Sequence, residues 1–165
     1  MSPKCVFPDT GVLLAMVVFP RDQAGSPTLA GEVLQLYEAG AFDLVIGQAV
    51  IDELDEVLDE RFPRYRPRAV SLLMPFAGRM VRRPTPAETA AVLPFCSDPS
   101  DAPIFASAVI AQPDIVLSND FHAFHTPQAK AFWKERGIAV ESLYGLLCVF
   151  GQRKRRGEAG SLADG

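Results

Sequence analysis

Short apolar runs that repeatedly give way to helical patterns constrain this chain more than any other feature. Residues 4–8, 42–46, 115–118 and 138–140 have the length and apolar character of strands. Helical patterns occupy 10–19, 28–39, 48–61, 101–111, 127–136 and 142–150. Parallel strands need a crossover between them, and crossover helices cover both faces of the sheet they serve. The expected fold class is therefore α/β: a three-layer α/β/α arrangement with a central, mainly parallel sheet of four or five strands, residues 79–83 being the weakest candidate. Pro20 stops the first helix, and Gly40 and Gly137 close two others. Between 63 and 78 an Arg-rich stretch holds a helical core of Val70, Leu72, Leu73 and Phe76, and 84–94 holds a small helix.

At 165 residues the chain fits one domain, 1–150, followed by a flexible basic C-terminal tail, 151–165. Hydrophobic residues at 48% and charged ones at 22% describe an ordinary globular protein and exclude a disordered one. Cys5, Cys96 and Cys148 are odd in number and lack C-x-x-C spacing, which argues against a disulfide framework or zinc site and for buried thiols. The apolar run 11–19 is bordered by Asp9 and lacks a cleavage pattern, and no run is long enough to span a membrane. A cytoplasmic location is the expectation.

The net charge of −4 carries no nucleic-acid signature, but the arginines are unevenly placed. Arg61, Arg64, Arg66, Arg68, Arg79, Arg82 and Arg83 crowd one stretch, and Arg153 to Arg156 form a second basic run. Solvated helix faces account for either cluster as well as a phosphate-binding surface does.

Four carboxylates stand where a strand hands over to a helix or where a helix begins: Asp9, Glu53, Asp101 and Asp120. In an open α/β sheet the ligand crevice lies beyond the carboxyl ends of the strands, so acids encoded far apart converge there. Glu53 lies at the edge of the apolar stripe of its helix, while Asp52, Glu56 and Asp59 point away. Oxygen donors alone favour Mg²⁺ or Mn²⁺ over zinc, and such ions suit phosphodiester hydrolysis. Each acid also has a purely structural role open to it. Asp98 as N-cap with Pro99 at N1 starts a helix, Asp9 caps the helix at Thr10, and Asp120 starts a turn. Thr10 and Ser118 are placed to orient carboxylates, or to cap elements. His122 and His125, without a third histidine, read as polar surface or as a loop anchor.

The order of motifs then becomes informative. Val6-Phe-Pro-Asp-Thr-Gly-Val-Leu-Leu, Val50-Ile-Asp-Glu-Leu-Asp-Glu-Val-Leu, Asp98-Pro-Ser-Asp-Ala-Pro-Ile-Phe-Ala-Ser-Ala and Ile115-Val-Leu-Ser-Asn-Asp together resemble the PIN-domain nucleases. The resemblance implies a small α/β/α protein whose acids bind Mg²⁺ or Mn²⁺ and cleave RNA, many such proteins being toxins of VapC-type toxin–antitoxin pairs. By that resemblance Asp9, Glu53, Asp101 and Asp120 take the catalytic and metal roles, with Asp98 the alternative to Asp101. Arg64, Arg66, Arg68, Arg82 and Arg83 would engage RNA phosphates. The partners it implies are an RNA substrate, a cognate antitoxin and a second copy in a homodimer, and no membrane. Two departures stand out: Gly11 where the family often has asparagine, and Ser118 where threonine is usual. The rival readings are a non-catalytic RNA- or protein-binding module of the same fold and a haloacid-dehalogenase-type phosphatase. The latter needs a second aspartate at position 11, where this chain has glycine.

Overall fold

The computed structural model describes residues 2–156. In chain order the elements are β1 (Cys5–Pro8), α1 (Thr10–Val18), α2 (Leu29–Glu38), β2 (Asp43–Leu44), α3 (Gln48–Arg61), α4 (Arg66–Leu73) and α5 (Pro86–Val92). There follow α6 (Ala102–Ala111), β3 (Ile115–Leu117), α7 (Phe121–Phe124), α8 (Pro127–Glu135), β4 (Ala139–Glu141) and α9 (Leu143–Val149). The four strands form one parallel sheet in the order β2-β1-β3-β4, the centre of a three-layer α/β/α fold. Val6, Phe7, Val116 and Leu117 are fully buried, as expected of strands covered on both faces.

This strand order has a physical consequence. From β1 the chain crosses to β2 on one side, and β3 pairs with β1 on the other, in the register Val6 to Ile115 and Pro8 to Leu117. Loops leaving the carboxyl ends of β1 and β3 therefore diverge and leave a crevice between them, the switch point where α/β sheets bind ligands.

Gly47, the residue before α3, allows that helix to approach the sheet closely. A Cβ there would meet the buried Ser107 Oγ and come within 3.1 Å of the Phe7 ring. An aromatic cluster fixes the other side. Phe105 of α6 lies 4.9 Å from Phe124 of α7 and 4.8 Å from Trp133 of α8, centroid to centroid.

Several expectations are refined. The second strand shortens from 42–46 to Asp43–Leu44. The stretch 79–83 forms only a single parallel bridge, Gly47 to Val81, in which Val81 donates to Ile46 O and Gln48 donates to Val81 O, both at 2.8 Å. Its flanking Arg79, Arg82 and Arg83 are exposed, so little apolar surface remains to extend a strand. Val70 is 52% exposed rather than part of the core. The stripe at i, i+3, i+4 and i+7 runs through Ala69, Leu72, Leu73 and Phe76, and Val70 lies off it. The one-turn helix α7 was not expected from the sequence. The thiols of Cys5, Cys96 and Cys148 are free and half-buried.

No helix among the described residues is long and apolar enough to cross a membrane. Of the basic tail, Arg153 forks onto Glu32 with both contacts at 2.8 Å, and Arg155 pairs with Glu141 at 3.0 Å. Residues 157–165 lie outside the described part.

Candidate metal centre

Four acids from distant parts of the chain line one cavity of about 500 Å³, and each arrives by a different route. Asp9 follows β1 and is the N-cap of α1, its Oδ1 accepting from the Val12 amide at 2.8 Å. Asp120 follows β3 and caps α7, its Oδ1 accepting from the Ala123 amide at 3.1 Å. Glu53 comes from the second turn of α3, and Asp101 stands immediately before α6. Asp9 is thus both the cap expected and a lining group of the cavity, and Asp120, expected to start a turn, caps a helix and lines the cavity too, since a carboxylate has lone pairs left after one capping bond.

Asp98 and Asp101 separate cleanly. Asp98 commits Oδ1 to the Ser100 amide at 2.9 Å, a bond that holds its carboxyl below the usual range, and it is fully exposed outside the cavity. Asp101 occupies the N-cap position of α6, but its side chain makes no capping bond. Its carboxylate is free of such a bond and lines the cavity, whereas that of Asp98 does not.

Ser118 joins the two strand-end acids. Its hydroxyl donates to Asp9 Oδ2 and accepts from the Asp120 amide at 3.0 Å, and the side chain is wholly buried. His125 anchors the same loop, its Nε2 lying 2.7 Å from Ser118 O, as the loop-anchor reading expected. Asn119, which sequence reasoning passed over, also lines the cavity, and its Oδ1 accepts from the Leu143 amide at 2.8 Å. Its only sequence signal was adjacency to Asp120.

Electrostatics follow from this crowding. Asp9 is 7% exposed, and burial pushes its carboxyl up to about 6. The Ser118 and Val12 hydrogen bonds oppose that rise, and the neighbouring Asp120 and Glu53 add to it. Asp101 is raised by burial and then by Asp120, Asp98 and Glu53. Glu53 is raised by partial burial, opposed by the Thr10 hydroxyl and reinforced by Glu56. No lysine or arginine lines the cavity, and none of the ion pairs among the described residues includes any of the four acids.

A divalent cation fits this donor set. The donors are all hard oxygens, they repel one another without a counter-charge, and Thr10 Oγ1 is buried beside them with no partner at full hydrogen-bond geometry. Among the described residues no three Asp, Glu, His or Cys side chains are drawn together into a ready-made ligand cluster. Gly11 opens onto the cavity, and a Cβ there would meet Asp9 Oδ1 at an ordinary 3.6 Å, so glycine is not sterically required.

A family profile described as PIN domain matches residues 5–122. The chain belongs to the PIN-domain family. PIN domains are generally nucleases and usually use divalent metal ions, and in this PIN domain the matched span contains all four cavity acids. No curated protein and no solved structure matches the chain.

A groove of about 780 Å³ adjoins the acidic cavity and shares Glu53, Asp101 and Ile104 with it. Arg83 lies there, forked onto Asp52 at 2.6 and 2.9 Å. The other arginines expected to contact RNA are differently engaged. Arg82 forks onto Glu88 at 2.7 and 2.8 Å, and Arg66 bridges Asp55 and Asp59. Arg64 donates to the Tyr65 hydroxyl at 3.2 Å, and Arg68 donates to Val17 O at 3.0 Å.

Proposed function

We propose that this PIN domain is a Mg²⁺- or Mn²⁺-dependent endoribonuclease that hydrolyses RNA phosphodiester bonds in the cytoplasm. The observation that carries the reading is the convergence of Asp9, Glu53, Asp101 and Asp120 on one cavity that holds no positive side chain. When bound there, a divalent cation lowers the pKa of a water and neutralises the charge of the reacting phosphate. Asp9 and Asp120 are held rigidly by helix caps and by Ser118, so they supply the fixed ligands. Asp101 completes the set from the start of α6. Glu53, which is exposed and comes from a helix interior rather than a strand end, orients the attacking water and takes up its proton.

Cleavage of RNA by the purified protein with Mn²⁺, Mg²⁺ or EDTA, beside Asp9→Asn, tests the proposal. Cleavage that needs the metal and disappears in the variant supports it; cleavage that continues in EDTA or in the variant overturns it. The second reading is a non-catalytic RNA- or protein-binding PIN module, in which the cavity acids hold no ion: among the described residues no three of them form a ready-made ligand cluster. Binding of RNA by wild type without any cleavage at millimolar Mn²⁺ would select it. Action as the toxin of a toxin–antitoxin pair is the biological setting that the family resemblance supports. It predicts growth arrest on expression, relieved by a co-expressed antitoxin.

A further inference from the structure

We propose that the corner formed by the end of α1, the end of α3 and the turn leading into α4 is a stacking platform for single-stranded RNA, separate from the acidic cavity. The choice of RNA rests on the nuclease reading; the platform itself rests on the arrangement of rings and cations. Phe19, at the C-cap of α1, is 52% exposed and meets Phe62 edge-on at 5.7 Å. Phe62 in turn meets Tyr65 at 6.4 Å. Above these rings stand guanidinium groups: Arg61 at 5.5 Å from the Phe62 centroid, Arg64 at 5.1 Å and Arg68 at 5.6 Å from that of Tyr65.

The charges distinguish this corner from the rest of the arginine-rich stretch. Arg66, Arg82 and Arg83 are matched by carboxylates, whereas among the described residues Arg61, Arg64 and Arg68 are not. Arg68 ties α4 to the last turn of α1 through Val17 O, which fixes the ledge. The cleft between them, about 320 Å³, is lined by Arg61, Arg64 and apolar or aromatic residues, with no acid. One exposed ring packed against two half-buried ones and flanked by unmatched cations offers what sequence-tolerant binding of single strands uses: aromatic surface for bases and positive charge for the backbone. A symmetric contact with a second copy would set these cations against their own kind, which disfavours a homodimer here. Both α1 and α3 run from the acidic cavity, at Asp9 just before α1 and at Glu53 in the second turn of α3, to this corner. A nine-residue helix spans about 14 Å. One strand several nucleotides long can therefore contact both places.

The test is fluorescence anisotropy with a labelled single-stranded oligonucleotide in EDTA, over a range of salt. Wild type is compared with Phe19→Ser, with Arg61→Gln plus Arg64→Gln, and with Lys130→Gln plus Lys134→Gln as an equal loss of charge elsewhere. The Phe19 variant should bind about fivefold or more weakly. The arginine pair should weaken binding and lower the slope of log K against log salt by about 0.7 per residue, while the lysine pair has the smaller effect. Unchanged affinity and slope in both patch variants overturn the proposal. So does a change in oligomeric state with RNA affinity intact, which reassigns the corner to a protein contact. Because EDTA removes cleavage from the measurement, loss of the nuclease reading and loss of the platform register in different assays.

Discussion

Replacing Asp9 by asparagine should stabilise the metal-free protein at neutral pH while abolishing its activity. The Asp9 carboxyl sits at about 6 in the fold against a reference of 3.8, chiefly through burial. At 1.36 kcal/mol per pH unit this gap is about 3 kcal/mol by which the ionised group disfavours folding above pH 6. The sign is fixed by linkage. The folded state holds this proton more tightly than the unfolded chain does, so the stability is present below about pH 4 and is lost as the pH rises through about 6. Asparagine caps a helix as well as aspartate does and so keeps the Val12 bond. The Ser118 bond to the charge is already contained in that value of about 6; an amide facing the hydroxyl in place of a neutral carboxyl costs about 1 kcal/mol, leaving a net gain of about 2 kcal/mol. For a domain of this size the gain is about 4–8 °C in Tm. Thermal melts in EDTA at pH 7.5 should show Asp9→Asn above wild type, with the gap mostly closed by pH 4.5. Adding Mn²⁺ should raise the wild-type Tm and leave that of the variant nearly unchanged. A variant that melts at or below wild type at pH 7.5, or a gap that does not shrink in acid, would refute the claim that burial and neighbouring acids strain this carboxylate.

Ser118→Ala removes the hydroxyl that holds the Asp9 charge, so the acid limb of the pH–rate profile should move to higher pH and stability should fall by about 1–3 kcal/mol. A profile that keeps its position while activity drops would place Ser118 in packing alone. Gly47→Ala forces a methyl against Ser107 and Phe7, which should lower stability by about 1–3 kcal/mol in a urea melt; a neutral result would show that α3 can shift without penalty. Gly11→Ala lies in the first turn of α1 with room for a Cβ, so it should raise stability by about 0.5 kcal/mol, and a measured loss would mean that the turn needs glycine.

How far the sequence could be read depended on the range of the physics involved. The helices α1, α3, α8 and α9 were legible because caps, prolines and the 3.6-residue period are local, and their bounds shift by only a residue or two. The strand at 42–46 and the bridge at 79–83 were misjudged in length because strand length is set by partners distant in sequence. Val70 was grouped with Leu72, Leu73 and Phe76 in one helical core, where the stripe through Ala69 and Phe76 excludes it. In the site, Asp9 and Asp120 were legible as acids at strand ends. Asp101 was named with Asp98 as its alternative, and what separates them is three-dimensional: Asp98 makes a capping bond outside the cavity, and Asp101 makes none and lines it. Pairing of the arginines was equally hidden, since Arg83 meets Asp52 across thirty-one residues of chain.

The same strand order that makes the fold also creates the strain at its centre. Because β1 and β3 are neighbours at the switch point, Asp9 and Asp120 must lie side by side, and Ser118 is the residue through which both are fixed. A chain selected for stability alone would neutralise one of these acids, as salt bridges do for Asp52 and Glu88 on the surface. Here the acids are left without cations inside a cavity, with the Asp9 proton held to about 6. An uncompensated cluster of this kind is a standing demand for positive charge, and a divalent ion meets it with the fewest changes to the surrounding structure. On the proposed function, metal binding would itself relieve this electrostatic strain. A calorimetric titration should accordingly show proton release from Asp9 as Mn²⁺ binds near pH 6, and none in Asp9→Asn.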